Sequence, residues 1–169
     1  MPCRCRPARL DWEVRQRARS DPRVKILAQL PGVGTFTALV ILAEAGDITR
    51  FGSARKLASW AGLTPTVRGS DRTVRHGHIS KQGSAWVRWI LCEAAQTAKR
   101  HPDFAASYQA IARRRGKKIA TTAIARKLLA RAWHLLTDAE RAASPAAITS
   151  TPGSRHGAVT SREGSPSPG

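Results

Sequence analysis

The stretch Leu30-Pro31-Gly32-Val33-Gly34-Thr35-Phe36-Thr37-Ala38-Leu39-Val40-Ile41-Leu42-Ala43-Glu44-Ala45-Gly46 decides the architecture. Its first part is a Pro-Gly-Val-Gly break. Its second part, Thr35 to Ala45, is a strongly apolar helical segment closed by Gly46. Upstream, Asp11 to Ala18 and Pro22 to Gln29 read as short helical pieces, charged outside with Val24, Leu27 and Leu30 turned inward. The glycine turn therefore lies between two helices. Glycines let the backbone bend tightly and bring N–H groups near a ligand. The start of the next helix adds unpaired donors and a partial positive charge, for which a phosphate is the natural guest. Gly32, Val33, Gly34 and Thr35 are the candidate backbone-gripping residues, in a unit that looks like a helix-hairpin-helix. An ordinary interhelical turn is the plain alternative. A dinucleotide fingerprint is not, because a helix precedes Gly32-x-Gly34 and the third glycine is missing.

Working downstream, Ser53 caps a helix over Ala54 to Ala61, Gly62 ends it and Pro65 prevents its return. Thr66 to Gln82 has no sustained helical period; Val67 and Val74 suit a short two-stranded ribbon. Ser84 opens a helix from Ala85 to Arg100, with Trp86, Trp89, Ile90 and Ala94 as the expected apolar stripe. His101-Pro102 stops it. Phe104 to Arg114 forms another helix that ends at Gly116. Ala120 to Leu136 is the last, with Ile124, Leu128, Ala132 and Leu135 on one face. From Thr137 onward Ser, Pro, Gly, Thr and Ala dominate without apolar periodicity, which predicts a disordered tail. The expected fold is thus mainly α, a helical domain containing a helix-hairpin-helix and an irregular basic loop. It divides into a leader and helical linker stub over 1–24, a domain over 25–136 and the tail over 137–169.

The 169 residues carry a formal charge of +18, from 29 Lys and Arg against 11 Asp and Glu. Before Thr137 there are 26 basic and 8 acidic residues, so the whole surplus lies there. Such a field draws polyanions, and DNA or RNA is the expected partner. A genome rich in G and C, which favours Arg and Ala in any protein, is the bland explanation. Three cysteines, Cys3, Cys5 and Cys92, are too few and too scattered for a disulfide framework, which fits a reducing cytoplasm. No apolar run reaches membrane-spanning length, so no membrane partner is expected.

Ser70 lies in the basic loop among Arg68, Arg72 and Arg75, with Lys81 and Arg88 able to converge on the same phosphate. A serine hydroxyl can attack a phosphodiester, and guanidinium groups can stabilise the charge that builds on phosphorus. Spacing alone is a weak warrant, since loop serines are common. Ser80 is a rival and Ser84 is better read as a helix cap. Asp71 could act as a base or merely shape the turn. No set of carboxylates at two-metal spacing is present, so no metal is assigned to this chain. His76, His78, Cys3 and Cys5 lack the ligand spacing of a zinc site. The five tryptophans are expected mostly in the core rather than as stacking platforms.

Taken in order, LPGVGTFTALVILAEAGDITRFGSARKLASWAGLTP, the serine-containing basic loop and HGHISKQGSAWVRWILCEAA resemble the C-terminal domain of the IS one-ten family of insertion-sequence transposases (the IS one-sixteen / IS nine-oh-two type). The match covers about residues 25–136. The resemblance implies a catalytic serine shortly after the AGLTP segment, here Ser70. It also implies a RuvC-like domain whose DEDD carboxylates bind Mg²⁺ and share a composite site with the serine across subunits. It further implies oligomers, a structured guide RNA, and DNA cut and rejoined through serine-linked intermediates. Only about thirty residues precede the glycine turn, too few for the RuvC-like domain, and no DEDD set is present. The local Arg68-Gly69-Ser70-Asp71 also differs from the Ser-Gly pair common in members. The expected function is the DNA-binding, serine-bearing part of a truncated transposase, inactive alone, in the cytoplasm at the nucleoid, acting as a homo-oligomer or with a full-length transposase. Two alternatives stay open: a non-catalytic helix-hairpin-helix module, and a decayed remnant.

Overall fold

Small and aliphatic residues recur every third or fourth position after Gly116, and this spacing builds the axis of the molecule. The computed structural model describes residues 5–70 and 73–143. Among these described residues seven α-helices run α1 (Cys5–Ser20), α2 (Pro22–Leu27), α3 (Thr35–Ala45), α4 (Ala54–Trp60), α5 (Ala85–Ala98), α6 (Pro102–Arg115) and α7 (Lys117–Ala143). A 3-10 turn at Ile48–Arg50 precedes α4, and strands β1 (Pro65–Ser70) and β2 (Thr73–Ile79) lie between α4 and α5. The chain is therefore mainly helical, with one two-stranded antiparallel ribbon. α7 packs against α2, α4, α5, α6 and the 3-10 turn. It does so through Ile124, Ala125, Leu128, Leu129, Ala132 and Leu136, all buried. α3 joins this core through α5, and α1 lies on α2 and α3.

The helix starts follow the expected capping chemistry. The Asp21, Ser53 and Ser84 side chains accept hydrogen bonds from the N–H groups of Arg23, Lys56 and Val87 respectively. Trp133 Nε1 donates to the Phe51 carbonyl at 3.0 Å, fastening α7 to the segment after the 3-10 turn. The Arg50 guanidinium lies over the Phe51 ring, 4.5 Å from its centroid.

Three expectations are corrected. The last helix does not stop at Leu136. It continues to Ala143, with Thr137 Oγ1 donating to the Trp133 carbonyl at 2.8 Å, so residues 137–143 are helix rather than tail. The rest of the expected tail, 144–169, lies outside the described residues. On α5 the buried stripe is Val87, Ile90, Leu91, Ala94, Ala95 and Ala98, while Trp86 and Trp89 are 66% and 50% exposed. The reason is space: the face turned inward meets α7 and the glycine turn at close range, and alanines fit where indoles do not. Trp12 is exposed as well, so only Trp60 and Trp133 pack against the core.

Candidate nucleic-acid interface

The glycine turn is built against α5. Gly32 has φ +79°, and a Cβ there would strike the Ala94 carbonyl oxygen. Only glycine allows this approach. The Val33 side chain is buried, so it can offer a ligand only its backbone. Gly34 and Thr35 are exposed at the start of α3, where Gly34 is the N-cap and no side chain caps the helix. The turn borders a groove of about 850 Å³ that also holds His101, Asp103, Arg131 and His134. Asp103 accepts from Arg131 at 2.7 Å. That hydrogen bond holds the Asp103 carboxyl below the usual carboxylate range. The groove beside the turn therefore carries a carboxylate as well as a cation.

The ribbon is fastened at its foot. Gly62, with φ +70°, lets the end of α4 meet the backbone of Lys81 and Gln82. The Lys81 N–H donates to the Gly62 carbonyl at 3.2 Å, and the Ser80 N–H to the Thr64 carbonyl at 2.9 Å. Arg88 Nη1 reaches the carbonyls of Ala61, Gln82 and Gly83 at 3.3, 3.1 and 3.0 Å. Arg88 thus ties α4, the ribbon and α5 together, and this part of its guanidinium is occupied by backbone. Lys81 stands exposed.

Register pairs Pro65 with Ile79, Val67 with His76, Arg68 with Arg75, Gly69 with Val74 and Ser70 with Thr73. The register shifts between Pro65 and Val67, a bulge that turns the ribbon near its foot. Ser70 and Thr73 form the last rung before the connecting residues, and Arg68 and Arg75 face each other two rungs in. Asp71 and Arg72 lie outside the described residues. Neither Ser80, the rival, nor Ser84, the expected helix cap, presents a free exposed hydroxyl. Among the described residues Ser80 Oγ is shut off from solvent without a hydrogen-bond partner, and Ser84 Oγ accepts from the Val87 N–H. The ribbon and the glycine turn are separate features: the groove at the turn includes no ribbon residue.

One basic surface escaped the sequence reading. Arg115, Lys118 and Arg126, spaced three and then eight residues apart, fall along one side of the α6–α7 junction and border a groove at the ribbon foot. The run Arg113 to Lys118 is plainly basic in sequence, but a solvated helix end explains it nearly as well as a nucleic-acid contact does. The helical spacing of Lys118, Thr122 and Arg126 was the signal that could have found the groove.

Among the described residues no three His, Cys, Asp or Glu side chains come together as metal ligands. The described residues do not supply the carboxylate set of the Mg²⁺ site implied by the resemblance. No described helix is long and apolar enough to cross a membrane. Cys92 is a half-buried free thiol whose pKa is raised chiefly by burial.

A model of the Transposase IS116/IS110/IS902 family matches residues 24–109, half of the chain, including the glycine turn, the ribbon and α5. The chain belongs to this family. The transposase relatives agree. A probable family 20 transposase of Pseudomonas aeruginosa is 31% identical over 137 residues, covering 78% of this chain and 40% of the relative. The transposase for insertion sequence element IS1111A of Coxiella burnetii is 32% identical over 133 residues, 76% of this chain and 36% of its own length. A pilin gene-inverting protein of Moraxella bovis is 32% identical over 128 residues, 71% of this chain and 40% of the relative. The chain thus spans about two fifths of the transposase relatives or less.

Proposed function

We propose that this transposase-family chain is the part that holds DNA and supplies the serine nucleophile, with Ser70 as that nucleophile. The observation that carries the reading is the position of Ser70 in the last rung of a fastened ribbon, while Ser80 is shut in and Ser84 caps a helix. Ser70 Oγ attacks a backbone phosphorus and forms an O–P bond. The bond from phosphorus to one deoxyribose oxygen breaks, and that oxygen takes up a proton. The seryl proton passes to a base. Attack by another deoxyribose hydroxyl reverses the step, restoring a phosphodiester and the free serine. Arg68, Arg72 and Arg75 offset charge on the phosphoryl oxygens. Gly34 and Thr35 present N–H donors to a backbone phosphate, the role of a helix-hairpin-helix turn. Lys81 adds a cation at the ribbon foot, and Arg88 acts by holding that foot rather than by touching phosphate. The carboxylates of the composite site come from a RuvC-like segment in the same assembly, with a guide RNA and an oligomer as the family resemblance implies.

The test uses DNA in which bridging oxygens are replaced by sulfur, a leaving group that departs without protonation. The wild-type chain forms a covalent adduct that survives denaturation, and Ser70→Ala binds the same DNA equally well without forming it. Equal binding with no adduct from either protein would favour the non-catalytic binding module, a reading supported by the unbroken positive charge of the groove at the ribbon foot.

A further inference from the structure

The groove at the ribbon foot has a volume of about 840 Å³ and lies between the ribbon and the first half of α7. Lys81, Arg115, Lys118, Arg126 and Lys127 line it, together with His78, and no acidic residue does among the described ones. Among the described residues none of these five cations pairs with a carboxylate. Lys127 Nζ donates to Ser107 Oγ at 2.7 Å, a neutral partner that leaves its charge uncompensated. Leu63, Ile79, Ile119 and Ala123 supply an apolar lining between the charges. Ile119 is 51% exposed there, an aliphatic side chain open to water.

We infer that this groove binds an unpaired DNA strand. Cations around an apolar lining fit a strand that offers phosphates to the rim and the faces of its sugars and bases to the interior. A duplex turns its charged phosphates outward and keeps its base faces stacked, so it has nothing to offer the apolar lining. His78 supplies the lone aromatic ring among the described lining residues, beside five cations, so phosphate contacts dominate and binding is strongly salt-dependent. Pro65, Gly77 and Ile79 belong both to the groove wall and to the ribbon. A strand leaving the groove can therefore run along the ribbon towards Ser70. The choice of DNA as occupant rests on the proposed transposase role. The existence of a groove specific for unpaired strands does not.

The experiment measures binding of the full chain to short fluorescent oligothymidylate, to oligouridylate and to a duplex of equal length across a salt series. The groove variant is Lys118→Gln with Arg126→Gln. The control is Arg113→Gln with Arg114→Gln, which removes the same charge from exposed positions outside the groove. The groove variant lowers affinity for oligothymidylate at least tenfold. It reduces the slope of log affinity against log salt by roughly 1.4, about 0.7 for each lost phosphate contact. The control changes both far less, and duplex binding falls less than single-strand binding. Ile119→Ser weakens oligothymidylate binding with the salt slope unchanged. Equal losses in groove variant and control would overturn the proposal, as would equal losses for duplex and single strand. Tighter binding of oligouridylate than of oligothymidylate would overturn the choice of DNA. Circular dichroism of each variant confirms that the fold is kept. Because the readout is binding, a failed groove leaves the Ser70 adduct unaffected, and a missing adduct leaves the groove result standing.

Discussion

Gly32 and Gly34 share one turn and have opposite tolerances. A Cβ on Gly32 meets the Ala94 carbonyl and must adopt a left-handed φ, whereas a Cβ on Gly34 meets nothing within 4 Å. Gly32→Ala should therefore destabilise the protein by about 2 kcal/mol or more, while Gly34→Ala costs about 1 kcal/mol or less. Thermal unfolding of the two variants checks this; equal shifts would contradict it. Asp21 gives a pH-dependent case. It caps α2 and accepts from Arg23 Nη2 at 2.8 Å, and this hydrogen bond lowers its pKa below the ordinary value. A carboxyl depressed in the folded state stabilises the fold above its unfolded pKa and loses that contribution as pH falls through the folded one. Asp21→Ala should cost about 1 kcal/mol at neutral pH. The difference from wild type should narrow below about pH 4, as read by denaturant unfolding across pH. Caps such as Ser53 and Ser84 were legible because one side-chain oxygen before a helix has one use. The second reason for Gly32, its contact with α5, was not legible, since it depends on a residue more than sixty positions away.

Among the elements, the ribbon depends on its foot. The two valines at Val67 and Val74 hinted at a pairing; the bulge between Pro65 and Val67 and the anchor at Arg88 did not show in the local pattern. Arg88→Met keeps the length of the side chain and removes its donors. It should destabilise the fold by about 2 kcal/mol. It should also raise amide exchange at Lys81 and Ser80, whose N–H groups bond to Gly62 and Thr64. Unchanged protection there would show that the ribbon stands without the anchor. α5 teaches a different lesson. Its sequence carries two apolar faces, and the aromatic one is the outer one. Periodicity finds a helix with hydrophobic residues but cannot choose between faces when neighbours demand small side chains. Trp89→Ala should accordingly cost far less stability than Leu91→Ala, which empties a fully buried site and costs about 2–5 kcal/mol.

Across the whole molecule, charge and core are divided between the two sides of α7. Its buried side holds the helices together, and its exposed first half joins the ribbon to form the basic groove. The helical class was legible because periodicity and stop signals recur along the chain. Family membership was legible because several motifs occur in order. The groove was not, because its cations come from the ribbon foot, α6 and α7, and only folding brings them together. The measurement that bears most directly on the central claim is peptide mapping of the covalent DNA adduct. The nucleotide-bearing peptide is expected to contain Ser70, with phosphorus attached to that side chain. Attachment at Ser80 or Ser84, or an adduct that persists in Ser70→Ala, would contradict it.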